Sequence, residues 1–116
     1  MNKTVILPNT ELAVIAKEKV RDYLLSDAHP LGRFKAAIFR GLGYRQSEWN
    51  RLSADLKEFL SNEASFQEST KYGQKYEIRG RLTGPNGRSV YLVTVWIVLR
   101  GENFPRFITA YPGEPK

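Results

Sequence analysis

The sequence predicts an α+β domain in which three N-terminal helices, at about 16-25, 31-42 and 47-61, pack on a C-terminal antiparallel β-meander with strands at about 70-82, 88-100 and 104-111. Three observations predict it. Apolar residues recur at helical spacing as far as Ser61, and after Asn62 they alternate with polar ones at period two. The segment from Val90 to Leu99 is apolar at nearly every position, as in a central strand covered on both faces.

Pro8-Asn9 punctuates the start of the chain, and Ala13-Val14-Ile15 reads as extended chain lying against the core. Val20, Tyr23 and Leu24 share one face of the first helix, with Lys17, Glu18, Arg21 and Asp22 elsewhere. Pro30 disfavours helical geometry at His29 and itself suits a first helical turn, so His29 falls at the junction, near the N-terminus of the second helix. In that helix Phe34, Ile38 and Leu42 form one row flanked by Ala37 and Phe39, Lys35 shares a row with Phe39, and Gly43 supplies a left-handed cap. Ser47 is the expected N-cap of the third helix, whose apolar positions are Trp49, Leu52, Leu56, Phe59 and Leu60.

In the first strand Tyr76, Ile78 and Leu82 alternate with Lys75, Glu77, Arg79 and Arg81. Gly84-Pro85-Asn86-Gly87 turns the chain into the second strand, and Gly101-Glu102-Asn103 turns it into the third. Strict alternation there puts Phe107, Thr109 and Tyr111 on one face and Arg106, Ile108 and Ala110 on the other.

The 116 residues carry no repeat or linker and are expected to form a single domain, 1-116, with loosely ordered ends at 1-10 and 112-116. Eighteen Lys and Arg against twelve Asp and Glu give a charge of +6, which favours a polyanionic or acidic partner. No apolar run approaches the roughly 20 residues of a membrane span, and the start is too weakly apolar for a signal peptide. No membrane association and a cytoplasmic location are expected, although absence of cysteine also fits exported proteins.

Without cysteine, thiolate zinc sites and cysteine nucleophiles are excluded, and a single histidine disfavours a transition-metal site. There is no Gly-rich phosphate loop, His-x-x-x-His pair or carboxylate cluster to suggest a nucleotide triphosphatase or metallohydrolase. Neither metal nor cofactor is expected.

Acid/base chemistry must then pass near His29 or use Lys, Tyr and carboxylates. His29 beside a helix N-terminus suits a place that also holds a phosphate; it also suits an ordinary capping or surface position. Lys35 is a candidate cation, or a solvated helix residue. Thr109 and Tyr111 can bond two oxygens of a phosphodiester, Tyr111 can donate a proton, and both also fit a strand by β-propensity alone. Lys71, Lys75, Arg79, Arg81 and Arg88 stand against one acid, Glu77, in segment 71-88, which reads as an RNA-backbone surface or a solvated strand face.

One ordered set of motifs goes beyond these readings: Asp-Tyr-Leu-Leu at 22-25, His29-Pro30, Lys35-Ala36, Phe39 with Leu42-Gly43-Tyr44, Trp49, Tyr72-Gly73, Gly84-Pro85-Asn86-Gly87-Arg88, Thr94-Val95-Trp96 and Ile108-Thr109-Ala110-Tyr111-Pro112. Over about residues 15-112 this set resembles an uncharacterised bacterial domain family found near toxin modules. In architecture the chain is similar, more broadly, to the barnase/EndoU/colicin/RelE-like toxin ribonucleases. That resemblance implies RNA cleavage without metal, with His29, Lys35, Thr109 and Tyr111 in catalytic places, Arg79, Arg81 and Arg88 on RNA, and an acidic antitoxin or immunity protein as partner. A lone histidine excludes a two-imidazole acid/base pair. The alternative is a non-catalytic basic module that binds an acidic protein or nucleic acid.

Overall fold

The computed structural model describes residues 4-26 and 33-114. Among these residues five strands, β1 (Thr4–Val5), β2 (Ala64–Ser69), β3 (Gly73–Thr83), β4 (Ser89–Leu99) and β5 (Arg106–Pro112), form one antiparallel sheet in the order β1-β2-β3-β4-β5. Helices α1 (Lys17–Lys19), α2 (Arg33–Gly41) and α3 (Trp49–Glu58) lie in the chain between β1 and β2.

This corrects the predicted arrangement of three N-terminal helices on a three-stranded C-terminal meander. The sheet begins before the helices and spans most of the chain. Both residues of β1 are exposed and β2 buries only Ala64, so neither strand carries an alternating pattern. Pairing alone specifies β1, through Thr4 opposite Ser65 and Val5 opposite Ala64.

The helices also differ from expectation. The predicted helix at 16-25 is three α-helical residues followed by a wide turn, Val20–Leu24, in which the Leu25 N–H donates to the Val20 carbonyl at 3.0 Å. That geometry lets Val20, Leu24 and Leu25 all become fully buried. In α2 it is Ala36 and Phe39 that are completely covered, while Ile38 is partly exposed. Ser47 is exposed inside a 3₁₀ turn, Gln46–Glu48, and does not cap α3; Glu48 precedes that helix without a side-chain cap bond. The expected start of the second helix at 31 and 32 lies outside the described residues.

The helical layer packs Val20, Leu24, Phe39, Leu52 and Leu56 on one face of the sheet, against Ile78, Leu92, Trp96, Phe107 and Ala110. Strict alternation fails in β5. The register shifts between Val95 and Trp96, so Phe107 opposes Trp96 in the core while Thr109 opposes Val95 on the other face. The extra residue, Ile108, lets Phe107 and Ala110 both point inward, correcting the expectation that Phe107 shares a face with Thr109 and Tyr111.

The Gly-Pro-Asn-Gly turn ties the sheet to α2. Asn86 Nδ2 donates to the Gly41 carbonyl at 3.0 Å and the Asn86 N–H to the Leu42 carbonyl at 3.2 Å, satisfying acceptors that the end of a helix leaves open. A Cβ at Gly84 would stand 2.1 Å from the Leu42 oxygen, so only glycine permits this approach. Asn86→Ala removes the side-chain bond to Gly41 and the one that Asn86 Oδ1 accepts from the Arg88 N–H. It is expected to cost about 1 kcal/mol, read as a fall of a few degrees in thermal midpoint.

Candidate functional site

β5 lies at one end of the strand order, with β4 on one side and a parallel bridge from Val14 at its start. Two ammonium groups from the helical region meet its middle. Lys19 Nζ donates to the Ile108 carbonyl at 3.0 Å, and Lys35 Nζ donates to Thr109 Oγ1 at 2.9 Å across 74 residues of sequence. Lys35 Nζ also sits 5.1 Å from the centre of the Tyr23 ring, whose π face favours a cation.

Two residues further along, Tyr111 shares the face of Thr109 but its hydroxyl turns across β4 to β3. It donates to Glu77 Oε2 at 3.1 Å. The other oxygen of Glu77 accepts from Arg79 Nη2 at 3.1 Å, and Arg79 Nη1 donates to the Glu114 carbonyl at 2.9 Å. The register explains this meeting: Glu77, Val95 and Thr109 form one rung of the sheet, and Arg79, Val93 and Tyr111 another. Val93 and Val95 are buried between these polar residues, which supply the second cover that the apolar β4 needs.

Burial, and then the hydrogen bond and charge of Glu77, raise the Tyr111 hydroxyl above the ordinary tyrosine value. Tyr111 therefore keeps its proton throughout the neutral range. The face thus offers a cation bonded to a hydroxyl, and beside them a protonated phenol held by a carboxylate.

Of the candidates nominated by the sequence, Lys35 and Thr109 are in contact and Tyr111 is their neighbour on the same face. His29 lies outside the described residues. Arg79 is engaged by Glu77 and the Glu114 carbonyl, and Arg81 Nη1 donates to Ser89 Oγ at 3.1 Å. Arg88 is exposed at the β3–β4 hairpin, seven residues along β4 from Val95 and so on the order of 20 Å from Thr109. Lys19, Tyr23 and Glu77 were not singled out by the sequence. Only Glu77 left a signal, as the one acid in the basic segment 71-88.

Among the described residues no three His, Asp or Glu side chains are grouped to hold a metal ion, and no helix is long and apolar enough to cross a membrane.

Among solved structures, the chain is similar to one from a contact-dependent growth inhibition toxin–immunity protein complex from Klebsiella pneumoniae 342. The TM-score is 0.69 at 20% sequence identity, covering 91% of this chain and 97% of that one. At this identity the likeness is one of fold. No curated protein matches. The family described as a domain of unknown function, DUF6883, matches residues 6–114, and the chain belongs to that family.

Proposed function

We propose that this chain is a metal-independent endoribonuclease of bacterial toxin type, cleaving RNA by attack of a ribose 2′-hydroxyl on the adjacent phosphate. The single observation that carries this reading is the 2.9 Å bond from Lys35 Nζ to Thr109 Oγ1, formed beside Tyr111. Because Lys35 donates to the Thr109 oxygen, the Thr109 hydroxyl hydrogen is left to bond a phosphate oxygen, with the ammonium charge close behind it.

In the proposed reaction His29 takes the 2′-hydroxyl proton as the 2′-oxygen bonds to phosphorus. Lys35 and Thr109 stabilise the charge that builds on the pentacoordinate phosphate. The bond from phosphorus to the 5′-oxygen breaks, and the proton of Tyr111 goes to that oxygen. The products are a 2′,3′-cyclic phosphate and a 5′-hydroxyl end, and His29 returns its proton to Tyr111 through solvent. DNA lacks the attacking group, which sets the substrate class. Arg81 on β3 and Arg88 in the β3–β4 turn accompany the flanking RNA backbone, while Arg79, the third arginine nominated for RNA, is held by Glu77 and the Glu114 carbonyl.

A non-catalytic module that binds an acidic protein is the second reading, favoured by the similarity to a chain solved within a toxin–immunity protein complex. On the first reading an acidic antitoxin or immunity protein is an inhibitor; on the second it is the only ligand. Incubation of the purified protein with total RNA in EDTA separates them. Fragments with 2′,3′-cyclic phosphate ends are expected, and intact RNA alongside salt-sensitive binding to an acidic protein overturns the ribonuclease.

A further inference from the structure

We propose that Glu77 is a positioning residue that aims the Tyr111 hydroxyl from across the sheet, with Arg79 as its clamp; the inference rests on the ribonuclease reading above. Glu77 uses both carboxylate oxygens, one for Tyr111 and one for Arg79. Its side chain is only 16% exposed, which distinguishes this arrangement from a solvated surface ion pair with little influence on its neighbours. Two consequences follow for Tyr111. The bond fixes the direction of the phenol hydroxyl across the sheet, and burial, with the hydrogen bond and charge of Glu77, keeps the phenol in its acid form to higher pH.

Arg79 has a defined part in this. A bare carboxylate beside the scissile phosphate would repel it, whereas the Arg79–Glu77 pair presents no net charge. The charged groups around Tyr111 are Glu77 and Arg79 on β3, Lys35 from α2 beside Thr109, and Glu114 just after β5. Of these only Glu77 accepts the phenolic proton's hydrogen bond. As substrate arrives, rotation about the phenol C–O bond turns the Tyr111 O–H from Glu77 toward the leaving 5′-oxygen, which takes its proton as the bond to phosphorus breaks.

Glu77→Gln tests the proposal, because it keeps shape and an acceptor oxygen but removes the charge. Near-ultraviolet titration of wild type against Tyr111→Phe isolates the Tyr111 phenol, and the same subtraction is made in the Glu77→Gln background. Glu77→Gln is expected to move the Tyr111 midpoint down toward the ordinary tyrosine value. RNA cleavage in EDTA should fall about tenfold, the scale of one side-chain coupling, and its alkaline limb should move to lower pH. In the Tyr111→Phe background Glu77→Gln should cause no further loss.

An unchanged midpoint, or an equal loss of rate with and without Tyr111, overturns the proposal. Failure of the wild type to cut RNA overturns it through the reading beneath it. A midpoint that still moves then marks that reading, rather than the contact between Glu77 and Tyr111, as the part at fault.

Discussion

Replacing Lys35 by Met is expected, on the ribonuclease reading, to lower the rate of RNA cleavage by about two to three orders of magnitude, the usual consequence of losing one preorganised electrostatic donor at a developing anion. Met keeps most of the aliphatic stem, so the half-buried packing beside Tyr23 survives and the thermal midpoint should move little. The charge matters more in the transition state than in the ground state. Affinity for an uncleavable 2′-deoxy analogue should therefore fall much less than the rate. Lys35→Arg restores the charge but places a planar fork where one compact ammonium bonds Thr109 at 2.9 Å, and recovery should be partial. His29→Ala, which removes the proposed base, should cost two to four orders of magnitude. Initial rates on a short RNA in EDTA decide the matter, and a fall of less than threefold in Lys35→Met would remove Lys35 from the mechanism.

The division between helical and alternating patterning was legible in the sequence because burial on one face imposes it locally. What escaped was fixed by partners distant along the chain. β1 and β2 show almost no alternation, since only Ala64 among their residues is buried and their pairing is with each other and with β3. The wide turn at Val20–Leu24 breaks the 3.6-residue period to bury three aliphatic side chains at once. One extra residue in β5 reversed the expected direction of Phe107.

The candidate site divides in the same way. Lys35, Thr109 and Tyr111 can be nominated singly from their chemistry, but the Lys35–Thr109 contact spans 74 positions. The partnership of Glu77 with Tyr111 depends on β3 and β5 flanking β4. By contrast, the conspicuous Gly-Pro-Asn-Gly sequence serves structure: Asn86 closes the end of α2.

The site's geometry depends in turn on the core beneath β4, where Trp96→Ala should have the largest effect on stability. Trp96 is fully buried and meets Phe107 edge to face at 5.3 Å and 72°. Its indole N–H donates to Thr94 Oγ1 at 2.8 Å, and that hydroxyl donates to the Ile78 carbonyl at 2.8 Å; among the described residues every buried side-chain polar atom has a partner. Truncation to alanine leaves a cavity under the register shift and is expected to cost about 3–5 kcal/mol, a large part of the roughly 5–15 kcal/mol that holds an ordinary domain folded.

Two further variants separate packing from hydrogen bonding. Trp96→Phe deletes the donor but leaves the Thr94 hydroxyl bonded to Ile78, so most of its smaller cost is lost volume. Thr94→Val strands the indole N–H in a dry core and should cost about 1–3 kcal/mol although it is nearly isosteric. Urea unfolding ranks the three, with Trp96→Ala expected to be least stable. Because the extra residue Ile108 sits beside the Phe107–Trp96 contact and sets the phase of Thr109, Trp96→Ala should also lose cleavage activity at temperatures where it remains folded. Full activity in a folded Trp96→Ala protein would show that Thr109 is aimed by Lys35 alone.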